Sequence, residues 1–138
     1  MPYVSKLILP FALTLWLVGL MSASAQVLFP VEQAGKWGYV DSAGQFQVKA
    51  KYLYAKPFRE GLAWVQTDKG WELIDTRGKR INRVQYTDVW PHQAGLARVL
   101  KDGLYGLVNR EGEEVVPPKY QKIKDFDDNG FAIVQAEN

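Results

Sequence analysis

The chain has 138 residues, 47% of them hydrophobic and 23% charged, with 17 basic against 15 acidic side chains. That near-balance provides no overall field for holding nucleic acid or an anionic membrane surface. Cysteine is absent, which excludes a disulfide framework and a thiolate metal site, so the fold must stand on packing and backbone pairing.

Lys6, the apolar stretch Leu7 to Leu20 and the small-residue run Ala23-Ser24-Ala25 read as an export signal with cleavage near Ala25. The apolar run, about 15 residues, falls short of the ~20 that a membrane-spanning helix needs. This predicts a signal helix over 1–25, only transient membrane contact, and a mature protein in the periplasm or outside the cell. Residues 26–138 fit one domain.

The rest of the chain repeats itself. Trp37, Trp71 and Tyr105 stand 34 residues apart, as do Gly44, Gly78 and Gly112, and Tyr52, Tyr86 and Tyr120. Gly61-Leu62-Ala63 returns at Gly95 and, with one inserted residue, at Gly130. A fixed period of this length is the signature of a tandem array. The units are approximately 35–66, 67–100 and 101–135.

Each unit predicts three short antiparallel strands. The first, Trp37 to Asp41, alternates at the period of two that a strand imposes. It ends in Asp41-Ser42-Ala43-Gly44, matched at Asp75 to Gly78 and Asn109 to Gly112: an Asx side chain that bonds the turn backbone, then a glycine for the left-handed residue of a hairpin tip. The returning strand covers Gln45 to about Ala50, Arg80 to Val84 and Glu113 to Val116; Pro117-Pro118 requires that part of the last to lie at a sheet edge or to be already leaving the sheet. The third strand is Leu62 to Gln66, Leu96 to Leu100 and Phe131 to Gln135. Ala63/Val65, Ala97/Val99 and Ala132/Val134 form its constant face, while Trp64, Arg98 and Ile133 occupy a varying face read as the outer one. Asp102-Gly103 is a type I′ dipeptide, and Leu28 to Val31 predicts a partial strand ahead of the first unit. The fold class is therefore all-β: a meander stacking into a short solenoid or curved sheet, with a closed pseudo-threefold barrel as the alternative arrangement of three units.

The tandem Lys36-Trp37-Gly38-Tyr39-Val40-Asp41, the glycine that follows, Lys51-Tyr52 and Gly61-Leu62-Ala63 resemble the WG-repeat family of bacteria. The likeness spans roughly Gly35 to Gln135 and holds in the third unit through Tyr105-Gly106 and Val116-Pro117-Pro118-Lys119-Tyr120. The second unit departs, with Trp71-Glu72 in place of Trp-Gly and no prolines before Tyr86. The resemblance implies a β-rich repeat in exported or surface-associated proteins with an interaction-type function.

Catalytic equipment is sparse. After the signal there is one serine, Ser42, committed to a turn, and one histidine, His92, which aligns with Phe58 and reads as filling an apolar slot. Asp41 and Asp75 serve turns, and Glu111, Glu113 and Glu114 crowd a hairpin tip, so no paired carboxylates stand out. Asp125-Phe126-Asp127-Asp128-Asn129-Gly130 fits the first half of a calcium loop, but position twelve is Ala136 rather than glutamate, and a solvated acidic loop is the preferred reading. No metal or other cofactor is expected.

The recurrent aromatics suit a packing seam between units. Trp64, Trp90 and Tyr54 do not recur as aromatics and are the candidate surface binding residues. The expected function is a non-enzymatic module that binds another envelope or extracellular protein. Glycan or cell-wall binding through the same three aromatics is the alternative.

Overall fold

The computed structural model describes residues 26–124 and the strand Val134–Gln135. Within them all regular structure is antiparallel strand: β1 (Phe29–Gln33), β2 (Lys36–Val40), β3 (Phe46–Tyr52), β4 (Tyr54–Ala55), β5 (Leu62–Thr67), β6 (Gly70–Asp75), β7 (Asp88–Val89), β8 (Ala97–Lys101), β9 (Leu104–Val108), β10 (Glu114–Tyr120), β11 (Lys122–Ile123) and β12 (Val134–Gln135). They make sheets ordered β1-β2-β3, β4-β5-β6, β10-β9-β8-β7 and β11-β12. The partial strand expected at Leu28 to Val31 is β1. The signal segment and the Asp125 to Gly130 loop lie outside the described residues.

The hairpin tips form as their residues dictate. Asp41 Oδ1 accepts from the amides of Ala43 and Gln45, Asp75 Oδ1 from Arg77 and Lys79, and Asn109 Oδ1 from Glu111 and Glu113. Gly44, Gly78 and Gly112 carry positive φ angles of 76°, 79° and 74°. The Asp102-Gly103 turn has φ 52° and 79°, the type I′ signature.

Gly38 and Gly106 are needed for a different reason. A Cβ on Gly38 would stand 2.5 Å from Val48 O and 2.6 Å from Ala50 N; on Gly106 it would stand 2.6 Å from Val116 O. The returning strands β3 and β10 therefore fold tightly over these glycines, and both pairings shift register there. In the middle stretch Glu72 replaces the glycine and the expected strand Arg80 to Val84 does not form. Only isolated bridges, Ile74↔Arg80 and Trp71↔Tyr86, remain. The buried Asn82 takes over, its Oδ1 accepting from Leu73 N at 2.8 Å and its Nδ2 donating to Val84 O. Glycine and returning strand come as a pair, so Gly38 is required wherever that strand is kept.

The sheets straddle the sequence units: the third strand of one unit pairs with the first strand of the next, as β5 does with β6 over six residue pairs. Successive sheets then stack face to face. Ala63, Val65 and Ile74 pack with Tyr39, Val48 and Tyr52 of the first sheet, while Trp64, Trp71 and Leu73 pack with Val89, Ala97, Val99 and Val108 of the third. β5 is thus buried on both faces. This overturns the reading of Trp64 as an outward residue: it is 2% exposed, because the varying face is the one turned toward the following sheet. It varies because each sheet meets a different neighbour.

Candidate interaction surface

The three aromatics singled out by their failure to recur have different fates. Trp64 lies in the core, edge-on to Tyr86 at 6.0 Å and stacked on His92 at 6.2 Å. Trp90 is half-buried. Tyr54 is 46% exposed, on the short strand β4. The last two belong to one ladder of rings and cations along the side of the stack. Tyr54 sits between Trp37 (5.2 Å) and Trp71 (6.2 Å), the Lys56 ammonium lies 4.7 Å from the Trp71 ring centroid, and Trp90 tilts against Tyr105 at 5.7 Å with the Arg98 guanidinium 4.2 Å over it.

The ladder contains an exchange that sequence reading missed. Lys56 Nζ donates to the carbonyl of Val89. The equivalent carbonyl 34 residues on, Ile123 O, is met not by Trp90, the counterpart of Lys56, but by Arg98 Nη1 at 2.8 Å. Arg98 is the counterpart of Trp64. The seam between the second and third sheets therefore carries its cation at position 56 and its indole at 64; the next seam carries the indole at 90 and the cation at 98. Each of the two positions varies, yet each seam holds one cation on a β-strand carbonyl and one tryptophan. Comparing 56 with 90 together with 64 with 98 would have exposed this.

Burial holds the Lys56 ammonium below its usual pKa, partly offset by Asp88. Burial likewise lowers His92, against a bond from its Nε2 to Asn109 O at 3.2 Å. His92 fills the slot that Phe58 fills against Tyr39, as its alignment predicted. Burial raises the Tyr39 and Tyr86 hydroxyls; the first donates to Lys56 O at 2.7 Å and the second to Glu114 Oε1 at 3.0 Å. Each of these perturbed groups is committed to a structural bond. Among the described residues no group of three His, Asp or Glu is gathered as a metal site.

Two depressions open on the surface. One, about 550 Å³, is lined by Lys36, Lys51, Leu53, Asp68, Glu72 and Arg80, with Arg80 paired to Glu72 at 3.4 Å. Leu53 lines this mixed-charge groove and is as exposed as its chain neighbour Tyr54. The other, about 310 Å³, lies beside Trp90 and includes Arg59, His92 and Arg98.

Stacked antiparallel sheets with recurrent Asx-Gly hairpins, and polar groups spent on holding the stack, define a β-repeat module. The WG containing repeat matches at residues 37–71 and 105–138, together half of the chain, and the protein belongs to that family. No curated protein and no solved structure matches the chain.

Proposed function

We propose that the protein is an exported, non-catalytic interaction module that grips another envelope or extracellular protein through the Tyr54 side of its stack. Tyr54 carries the reading. It is a large aromatic held half out of the protein by rings on two different sheets, so little side-chain freedom is lost when a partner covers it, the property that makes aromatics hot spots. Leu53 widens the apolar contact, and Lys36 and Lys51 against Asp68 and Glu72 supply a polar rim. The signal at residues 1–25 supports export. The shared turns at Asp41, Asp75 and Asn109 support three copies of the unit, the middle one altered by Glu72 and Asn82. The glycan alternative keeps Tyr54 but loses Trp64.

Retention of a specific envelope protein by immobilised protein, lost on Tyr54→Ala in a variant that still folds cooperatively, is the expected result. Retention on purified cell-wall glycan instead, with no protein captured, would reject protein binding in favour of the alternative. Mass spectrometry of the exported chain should place its N-terminus at Gln26.

A further inference from the structure

The stack repeats one edge contact that its first sheet lacks among the described residues. In the second sheet β4 lies antiparallel on β5, with Leu53 N donating to Gln66 O at 2.8 Å and Lys56 N to Trp64 O at 2.9 Å. In the third, β7 does the same to β8, with Thr87 N donating to Leu100 O at 2.8 Å and Trp90 N to Arg98 O at 3.0 Å. The four residues match at an offset of 34. The same offset carries Trp64 and Gln66 onto Pro30 and Glu32 of β1. In the first sheet β1 is the terminal strand, pairing only with β2 among the described residues.

Which groups face that edge follows from the hairpin. Gln33 and Lys36 close the two-residue Ala34-Gly35 turn, so Gln33, Val31 and Phe29 point their backbone groups at β2. Pro30 and Glu32 point theirs outward, since alternate residues of a strand address opposite neighbours. Proline stands where its missing N–H breaks no bond of the sheet. The free edge therefore offers the Pro30 carbonyl and both the carbonyl and amide of Glu32.

The face beside this edge carries exposed aromatics. Phe29, Val40 and Phe46 are cross-strand partners, with Phe29 50% and Phe46 40% exposed. The counterparts of Phe29 and Val40 in the next sheet, Ala63 and Ile74, are buried against the sheet before them.

We infer that β1 is a docking edge that accepts an extended strand from a partner protein, added antiparallel as β4 and β7 are added to β5 and β8. The partner strand donates two amides three residues apart, to Glu32 O and Pro30 O. Its residue between them and opposite Val31 is apolar, as Ala55 is opposite Val65, and the one opposite Glu32 lies toward Trp37, as Tyr54 lies toward Trp71. This goes beyond the Tyr54 surface: its hydrogen bonds are made by the backbone of Pro30 and Glu32, so strand binding and capture through Tyr54 are read separately.

The chain's own β4 segment, as an amidated peptide of residues 51–58, is the probe. Titrated into the ¹⁵N-labelled full chain, it should shift the amides of Val31, Glu32 and Gln33. A peptide N-methylated at the residues matching Leu53 and Lys56 should not, a control that leaves the protein untouched. Glu32→Pro should weaken binding about tenfold, the worth of one net backbone hydrogen bond. Four results would each overturn the inference: no shifts at β1; equal binding by the N-methylated peptide; a Glu32 amide already protected from hydrogen exchange without peptide; or the same shifts produced by raising protein concentration alone, which would make the occupant a second copy.

Discussion

Transplanting one seam onto the other tests the exchange between positions 56/64 and 90/98. Lys56→Trp removes the donor to Val89 O and the cation over Trp71, and charged hydrogen bonds of this kind contribute ~1.5–3 kcal/mol. Trp64→Arg removes one of the most deeply buried side chains and brings a second cation beside Lys56, costing ~3–5 kcal/mol from lost burial alone. If the positions were independent the double variant would lose ~5–8 kcal/mol, comparable to the whole stability of a small domain. In the double variant the new arginine takes the Val89 carbonyl and the new indole packs on Trp71, the arrangement of Arg98, Ile123, Trp90 and Tyr105. We expect at least ~2 kcal/mol of that loss to be recovered as coupling in a urea-denaturation double-mutant cycle. Additivity within ~0.5 kcal/mol would refute the exchange.

Gly38→Ala should destabilise by ~3 kcal/mol or more, because the added Cβ meets backbone atoms of β3 that no rotamer change can move; a loss under ~1 kcal/mol in chemical denaturation would mean that β3 can retreat freely. Stability should fall on acidification in two windows. His92 has a folded pKa depressed by burial, so the unfolded chain takes up the proton first and stability drops as pH falls below about 6.5. His92→Phe, which copies Phe58, should abolish that window. The second opens below about 3.8. Amide donors, chiefly Gln45 N, lower Asp41, and at Asp75 the donors Lys79 N and Arg77 N outweigh the opposing effect of burial. Asp75→Asn should shrink the second window, and melting curves across pH read both.

What was legible in the sequence was whatever depends on one residue at a fixed spacing. The hairpin tips needed only Asp41, Asp75 or Asn109 with a glycine three residues later, and the structure forms all three. The strand alternation around Tyr39 was likewise visible, as was the edge position of Pro117-Pro118. What failed depended on pairs of distant residues. Trp64 was read as outward because Arg98 replaces it, a sound inference for a single sheet and a wrong one for a sheet covered on both faces. The loss of the returning strand after Glu72 was obscured because Asn82, a poor strand former, replaces backbone hydrogen bonds with its own side chain. The ladder joining Tyr54 to Trp37 and Trp71 crosses two sheets, and no spacing along the chain announces it.

In the proposed function Tyr54 is a surface held for a partner and not a strut of the stack. Tyr54→Ala protein should stay folded, melting ~5–15 °C lower because about half of the tyrosine's surface and its contacts with Trp37 and Trp71 are lost, and should lose any envelope protein that wild type captures. A variant that fails to fold, or one that captures the same partner as well as wild type does, would contradict it.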